Sequence, residues 1–595
     1  MAVNTKVRNK FNVDEELDAP FNLSQLKRAG KYVKKYAKEL VIALLLAIVS
    51  ILLNLVTPLF TQRAVDVYIP NRDIPGLVIM CVVFVVVIFA IMFINKKKTL
   101  LTNRVGQHII SDMRLDLFNH LQKLPFDYYD SRPHGKILVR VVNYVNSIAD
   151  FLSNGIVNII LEMLSMVAII FFMLALNVPL TLLSLCGLPV FAAFMFTIKG
   201  AQRRAHQRRN NKQSNLNAYL QESISGMKVT QAFDREETNH GIFNTLCEES
   251  RSTWMKAVYI SNTVWPVIMV ISSIFTLAVY YTVGADIITG VTVGTLLAFV
   301  SYVSRFWQPI TNLGNLFNNL INTSAYLERI FQVLDEPVSI DDKPNAYPLP
   351  TIQGRVEFKD VVFEYEEGVT VLNHVSFVAE PGESIALVGP TGSGKSTVVS
   401  LLARFYDIKS GSIQLDGNEI GDVTISSLRS QMGMMLQDTF LFSGSIMENI
   451  RYGRLDATDE EVIQAAKIVH ADDFISKLPN GYQTEVKERG QSLSAGQRQL
   501  VSFARTLLAD PRILILDEAT SSIDTKTELL VQEGLNALLK GRTSFIIAHR
   551  LSTIKNCRIM YIMDGQIMES GYHDELMAKK GYYYELCSAQ MEDME

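Results

Sequence analysis

The chain has 595 residues, 48% apolar and 19% charged, with 56 Lys and Arg against 60 Asp and Glu for a net charge of −4. That charged share lies below the roughly 25% of soluble domains and excludes a disordered chain, a collagen-like repeat or a small disulfide scaffold. The near-neutral total gives no argument for nucleic-acid binding, and the five scattered cysteines (Cys81, Cys186, Cys247, Cys557, Cys587) fit reduced packing residues better than a disulfide framework or a zinc site.

The first 20 residues lack an apolar core, so no cleavable signal is expected. Within residues 1–39, the stretch 21–39 reads as a basic amphipathic helix lying along the inner membrane surface. Six apolar blocks follow, at 41–60, 77–94, 156–176, 178–198, 257–283 and 291–303. A hydrocarbon core of ~30 Å needs about 20 helical residues. Most blocks supply that, and Phe306 and Trp307 extend the last one. The expectation is an all-α, six-helix transmembrane domain over 40–333. Lys27, Arg28, Lys31, Lys34 and Lys35 precede the first block, Lys96, Lys97 and Lys98 follow the second, and Lys199, Arg203 and Arg204 follow the fourth. The connections between them on the other side are short and poor in such charge. The positive-inside rule then makes the N-terminus, and everything after the sixth span, cytoplasmic. Residues 77–124 hold no proline and one glycine, Gly106, and predict a single helix of ~70 Å that projects well beyond the membrane. Residues 201–225 continue the fourth span in the same way. These stalks end in turn-like segments at 125–135 and 226–237.

Residues 334–353, with Pro337, Pro344, Pro348 and Pro350, read as an extended linker. From 354 to 595 short β-type runs alternate with helical stretches, the mark of an α/β domain on a largely parallel sheet. Gly389, Pro390, Thr391, Gly392, Ser393, Gly394, Lys395, Ser396 and Thr397 match GxxxxGK[ST], after an apolar strand and before a helix. Glycines there turn backbone N–H groups toward phosphate oxygens at a helix N-terminus. Lys395 brings a point charge for the β- and γ-phosphates and Ser396 a hydroxyl for Mg²⁺. The strand 513–516 ends in Asp517, placed to hold Mg²⁺, and Glu518, placed to orient or deprotonate the attacking water.

Leu493, Ser494, Ala495, Gly496 and Gln497 are similar to the LSGGQ signature, about 20 residues before the acidic strand. With them the chain resembles ABC transporters of the exporter-type half-transporter class. Gln437 resembles the Q-loop glutamine, His549 the switch histidine, the stretch 521–524 ending in Asp524 the D-loop, and Tyr365 the aromatic that stacks on adenine. The stretch 488–490 resembles the short motif that contacts the stalk loops. The resemblance implies an α/β P-loop ATPase with ATP and Mg²⁺ as cofactors. Glu518, His549, Gln437 and Lys395 would be catalytic, and Ser396, Gln437 and Asp517 would hold the metal. Two such domains would close head-to-tail, each ATP lying between one P-loop and the opposite Ser494, Ala495, Gly496 and Gln497. Closure would reach the membrane through the stalk ends near 126–135 and 224–233. A dimer is thus required. Two positions depart from the family pattern: Ala495 stands where it has glycine, and Ser522 and Ile523 stand where it has Ala-Leu. Both act on the partner's site. They favour a heterodimer with a second half-transporter over a homodimer, which remains the alternative.

Ionisable groups inside a membrane are functional candidates. Glu162 in the third span and Arg305 a similar distance into the sixth stand out. They are expected either to line the substrate path or to form structural pairs, Glu162 with Asn158. Trp265 and Trp307 belong to an aromatic cluster of the fifth and sixth blocks and join the substrate candidates. The reading is ATP-driven export of an amphipathic or hydrophobic, drug-like or lipid-like substrate by a multi-pass protein of a bacterial plasma membrane, working by alternating access. A peptide exporter, or an ATP-gated channel or regulator on the same scaffold, is the alternative. The short N-terminal region is expected to hold no peptidase domain.

Overall fold

The computed structural model describes residues 23–130, 134–366, 368–435, 439–487, 490, 492–517, 525–547 and 555–592. It divides into two compact units. One comprises the chain to Gln122 together with His134–Glu336; the other comprises Lys123–Pro133 and Pro337–Glu595.

The first unit is helical. Among the described residues, five helices are long and apolar enough to cross a membrane: Ala37–Tyr68, Ile74–Leu121, Ile137–Leu176, Val178–Ser225 and Glu236–Gly284. A further long helix, Val293–Leu334, is less apolar, because Arg305, Gln308 and Asn312 interrupt its hydrophobic run. Length and apolarity therefore confirm five of the six expected spans. The helix Ile74–Leu121 runs 48 residues without a break, as its freedom from internal proline predicts. Asp73 starts it by accepting the Gly76 N–H at 2.9 Å. The apolar faces converge on Leu180, Val279, Phe299, Tyr302 and Phe306, whereas Val82, Val86, Phe89 and Phe93 point outward as lipid-facing residues do.

The basic N-terminal helix Leu23–Lys35 finds carboxylates of its own chain. Arg28 forms a two-pronged pair with Asp335 and lies 4.2 Å over the Phe331 ring. Tyr32 donates to Asp116 at 2.8 Å, and Lys35 and Tyr36 both donate to Asp112 at 2.8 Å. Periodicity alone showed a charged face but not its partners, which lie some 80 and 300 residues away.

The second unit holds two main sheets. Strands β1 (Val356–Glu366), β2 (Val369–Ala379), β4 (Ser410–Leu415) and β5 (Asn418–Glu419) form an antiparallel sheet in the order β2-β1-β4-β5. The other sheet uses β3 (Ser384–Val388), β6 (Met432–Met435), β9 (Ile513–Asp517), β10 (Thr543–Ile547), β11 (Arg558–Met563) and β12 (Gln566–Gly571), in the order β12-β11-β3-β10-β9-β6. All its pairings are parallel except β11 with β12. The short β7 (Gly444–Ser445) and β8 (Glu485–Val486) make a separate ribbon. Parallel strands covered on both faces read as unbroken apolar runs. Accordingly Ile385, Leu387, Ile513, Ile515 and Phe545 enter one core with the antiparallel sheet, while Ala386, Val388, Leu514, Leu516 and Ile546 enter a second core with the helices. The antiparallel sheet was visible in the sequence only through the start of β1, since its bulged strands break the period of two.

Phe545 is fully buried at the centre of the parallel sheet, 6.1 Å from the Phe377 ring. Phe545→Ala should destabilise the second unit by about 3–5 kcal/mol, seen as an earlier melting transition of the purified chain.

Candidate functional site

The register of the parallel sheet gathers the predicted residues. Leu387 and Asp517 both face Ile547, and Leu516 faces Met435. The loops carrying the P-loop, Asp517, Gln437 and His549 therefore leave one and the same sheet edge, the usual ligand edge of a parallel α/β sheet. Gln437, Glu518, Asp524 and His549 themselves lie outside the described residues, as do 488 and 489.

The P-loop joins β3 to the helix Lys395–Leu402. Gly394, at that helix's N-cap, has φ 104°, and a β-carbon there would stand 2.7 Å from Leu372 Cδ2. Gly389 has φ 142°, and a β-carbon would meet the Ile562 carbonyl at 2.0 Å. Both positions require glycine. Lys395 is buried, and its Nζ donates to the carbonyls of Gly389 at 2.9 Å and Pro390 at 2.7 Å. Burial holds its ammonium below the ordinary lysine value, while the Asp517 charge pulls the other way. The Ser393 hydroxyl is buried with no hydrogen-bond partner among the described residues. A buried orphan hydroxyl, a buried ammonium and a ring of positive-φ glycines fit phosphate oxygens. Ser396 is exposed beside them, and its hydroxyl and the Asp517 carboxylate are hard oxygen donors of the kind that would hold Mg²⁺.

Tyr365 lies half-exposed at the end of β1, and its Oη is 3.1 Å from Thr397 Oγ1 of the P-loop. The Lys409 ammonium, with the Gly368 N–H and the Thr370 hydroxyl, holds the neighbouring Glu364 carboxyl down at about 2, which pins the hairpin that carries Tyr365. Tyr406 packs edge-on against Tyr365 with ring centres 5.0 Å apart, and its hydroxyl donates to Asp130 at 2.8 Å. Phe405 meets Phe126 at 4.3 Å and is covered on its other contact by the Arg429 guanidinium at 4.9 Å. The segment Lys123–Pro133 thus belongs to the ATPase unit through residues next to the adenine candidate. Tyr406 and Asp130 escaped the sequence reading, because neither stands in a motif.

The signature residues open the helix Ala495–Leu508. Ser494 is its N-cap: its Oγ accepts the Gln497 N–H at 3.3 Å, while Gln497 Oε1 accepts the Ser494 N–H at 2.9 Å. Ser494 and Ala495 are exposed and Gly496 is buried. Arg505, farther along the same helix, donates to the Asn449 and Phe440 carbonyls at 2.8 and 3.1 Å, tying the helix to the loop that follows β6.

Two family models match the sequence, the ABC transporter transmembrane region over residues 40–310 and the ABC transporter model over 372–521. The chain belongs to the ABC transporter family. It is 42% identical to an uncharacterized ABC transporter ATP-binding protein of Bacillus subtilis, over 98% of this chain and 97% of that one. A fatty acid ABC transporter ATP-binding/permease protein of Mycobacterium bovis is 40% identical over 82% of this chain and 78% of its own length. The structure of a bacterial Atm1-family ABC exporter with ATP bound superposes with a TM-score of 0.78 at 29% identity, covering 93% of this chain and 98% of that one. The protein is accordingly an ABC exporter half: a multi-pass membrane protein with a cytoplasmic ATPase domain that binds ATP, couples its hydrolysis to transport, and works as a dimer.

In the membrane half of the transporter, Glu162 Oε1 accepts the Asn312 amide at 2.7 Å, so its partner is Asn312 and not Asn158. Arg305 donates to the Asn54 carbonyl and the Thr57 hydroxyl. Trp307 is buried against Phe191 and Phe306, and Trp265 is exposed.

Lys395→Met should lower ATP hydrolysis at least about 100-fold, the scale of losing a preorganised charge at a developing anion, with an unchanged melting curve. Tyr406→Phe removes one hydrogen bond to a carboxylate, worth about 1.5–3 kcal/mol. It should leave ATP hydrolysis within about twofold and lower the substrate moved per ATP, read by measuring both in the same proteoliposomes.

Proposed function

We propose that this ABC exporter moves neutral, amphipathic molecules with an aromatic or lipid-like body, as one half of a dimer that alternates between inward and outward access. A cavity carries the reading. It has a volume of about 500 Å³ between the helices Glu236–Gly284 and Val293–Leu334 and is lined by both Trp265 and Trp307. Ser272, Ser273, Thr276 and Gln308 add hydroxyl and amide groups, and among the described residues no lining side chain is charged. Such a wall suits a flat apolar body with a few hydrogen-bonding groups. The Mycobacterium relative is named for fatty acids and others for multidrug export, and the cavity's lack of charge favours neutral cargo over either anions or cations.

The sixth span of this reading is Val293–Leu334. Its polar residues are matched by neighbours, as Asn312 is by Glu162, which supports placing a less apolar helix in the bilayer. In the nucleotide site, Gly389 through Thr397 would cradle the phosphates, Tyr365 would stack on the base, and Ser396, Gln437 and Asp517 would hold Mg²⁺, which when bound would supply positive charge at the transferring phosphoryl group. Glu518 and His549 act on the attacking water. Ser494 through Gln497, together with Asp524, serve the opposite ATP. The exposed Ala495 methyl, in place of glycine, supports a non-identical second half-transporter. A purified single chain that hydrolyses ATP at a transporter's normal rate would point to a homodimer instead.

Vesicle uptake of a neutral aromatic fluorophore, beside a cationic dye and a fatty acid, tests the cargo. ATP-dependent, vanadate-sensitive accumulation of the neutral probe is expected, reduced severalfold by Trp265→Ala without a change in melting temperature. Preference for either charged probe overturns the reading, and flux only down a gradient favours a gated channel.

A further inference from the structure

The first long helix contains Pro58. Proline lacks an N–H, so the carbonyl of Asn54, four residues earlier, loses its helical donor. In hydrocarbon no water replaces that donor, and the freed group must be satisfied by the protein. The Thr57 hydroxyl of the same helix donates to it at 2.7 Å, and the helix Val293–Leu334 supplies a second, charged donor. Arg305 Nη1 donates to the Asn54 carbonyl at 2.5 Å, and Nη2 to Thr57 Oγ1 at 2.9 Å. One turn away the fully buried Tyr302 donates its hydroxyl to the Leu55 carbonyl. The pairing continues outward in antiparallel register. Gln62 Nε2 donates to Thr295 Oγ1 at 2.9 Å, and the Asp66 carboxylate accepts the Gly294 N–H at 2.8 Å and the Thr292 hydroxyl at 2.5 Å. The backbones are in close contact there, since a β-carbon on Gly294 would stand 2.5 Å from the Gln62 carbonyl.

We propose that Arg305 is a positioning residue that, with Thr57, replaces the backbone donor removed by Pro58, and that Arg305 and Tyr302, which donates to the neighbouring Leu55 carbonyl, fasten the outer ends of these two helices into a polar zipper that must open for cargo to leave. The contacts from Asn54 to Asp66 are hydrogen bonds between groups that water also satisfies. Separation of the two helices therefore admits water to the Asn54 and Leu55 carbonyls, and closure returns them to Arg305 and Tyr302. An interface of interlocked apolar side chains would have no such exchange partner. Arg305 is bidentate and planar, so lysine, a single point donor, serves only one of its two acceptors.

The test is a mutant cycle on the full chain in lipid nanodiscs. Leu55, whose side chain is buried, is replaced by cysteine as a reporter in a background with the native cysteines changed to alanine. Its labelling by a membrane-impermeant maleimide reports opening. Arg305→Met should speed labelling about tenfold and lower the melting temperature, and Arg305→Lys should fall between it and the parent. Pro58→Ala should change little. The double variant Pro58→Ala with Arg305→Met should return to within about threefold of the parent, because residue 58 again donates to Asn54. A double variant as fast as Arg305→Met alone overturns the proposal, since an arginine that reads substrate or merely fills space is not rescued by restoring a backbone N–H elsewhere. Should Arg305→Met fail to fold, Pro58→Ala with and without Arg305→Met decides alone. Equal labelling supports the proposal and a tenfold difference rejects it.

Discussion

Every backbone N–H and C=O in the hydrocarbon of a bilayer has to be satisfied within the protein. The membrane half follows from that constraint. It forces continuous helices such as Ile74–Leu121, and it turns each irregularity into a demand on a neighbour. Pro58 is the clearest case, because it breaks the hydrogen-bond ladder of one helix and leaves a carbonyl that Thr57 of the same helix and Arg305 of another both serve. The same logic makes Glu162 tolerable, since Asn312 meets it across the helices. Arg305 and Asn312, two of the polar residues that make Val293–Leu334 less apolar than its neighbours, are the ones that answer these demands.

The ATPase half answers to a different solvent and a different rule. Its parallel strands are buried on both faces, so their side chains carry no chemistry and only their ends do. The register of β3, β6, β9 and β10 brings four loop origins to one edge. Function is then a matter of what those loops contain. Lys395 illustrates the cost of readiness. It is buried, its ammonium held below the ordinary lysine value by that burial, and it is occupied with two carbonyls of its own loop. Phosphate oxygens would replace contacts that are already electrostatic, so little has to be reorganised on binding.

What could be read from the sequence was what is local or periodic. The apolar blocks, the long proline-free helix, the P-loop between strand and helix and the ordered series of family motifs all express themselves within windows of a few to about twenty residues. What stayed hidden is pairwise and distant. Asp130 with Tyr406, Arg28 with Asp335 and Arg305 with Asn54 are separated by some 250 to 300 residues, and nothing in either member names the other. Arg305 shows the limit well. Its type and depth marked it as important, and intramembrane charge suggested substrate, yet the informative residue was Pro58, which raised no expectation because its consequence appears only when the carbonyl four residues away is followed to its donor. The antiparallel sheet was hidden for another reason, because bulges in β1 disturb the alternation by which strands are recognised.

The signature helix shows why a single chain is half a machine. A helix start needs its first N–H groups satisfied, and Ser494 with Gln497 does this by a reciprocal pair of hydrogen bonds. One lone pair of the Gln497 amide oxygen and one of the Ser494 hydroxyl are thereby committed to the chain itself. What the helix start can offer an anion is the Ser494 hydroxyl hydrogen, the remaining N–H groups of the first turn and the positive end of the helix dipole. Those are donors only, and they suit a phosphate that another P-loop already holds. The P-loop of the same chain is complementary in kind, with glycines and Lys395 but no second helix start facing them in sequence. Ala495 sits at the point where these two sets would meet, exposed and one methyl larger than glycine. In the proposed dimer a methyl there would add bulk only to the composite site and leave the helix cap intact, so any asymmetry would fall on the opposite ATP.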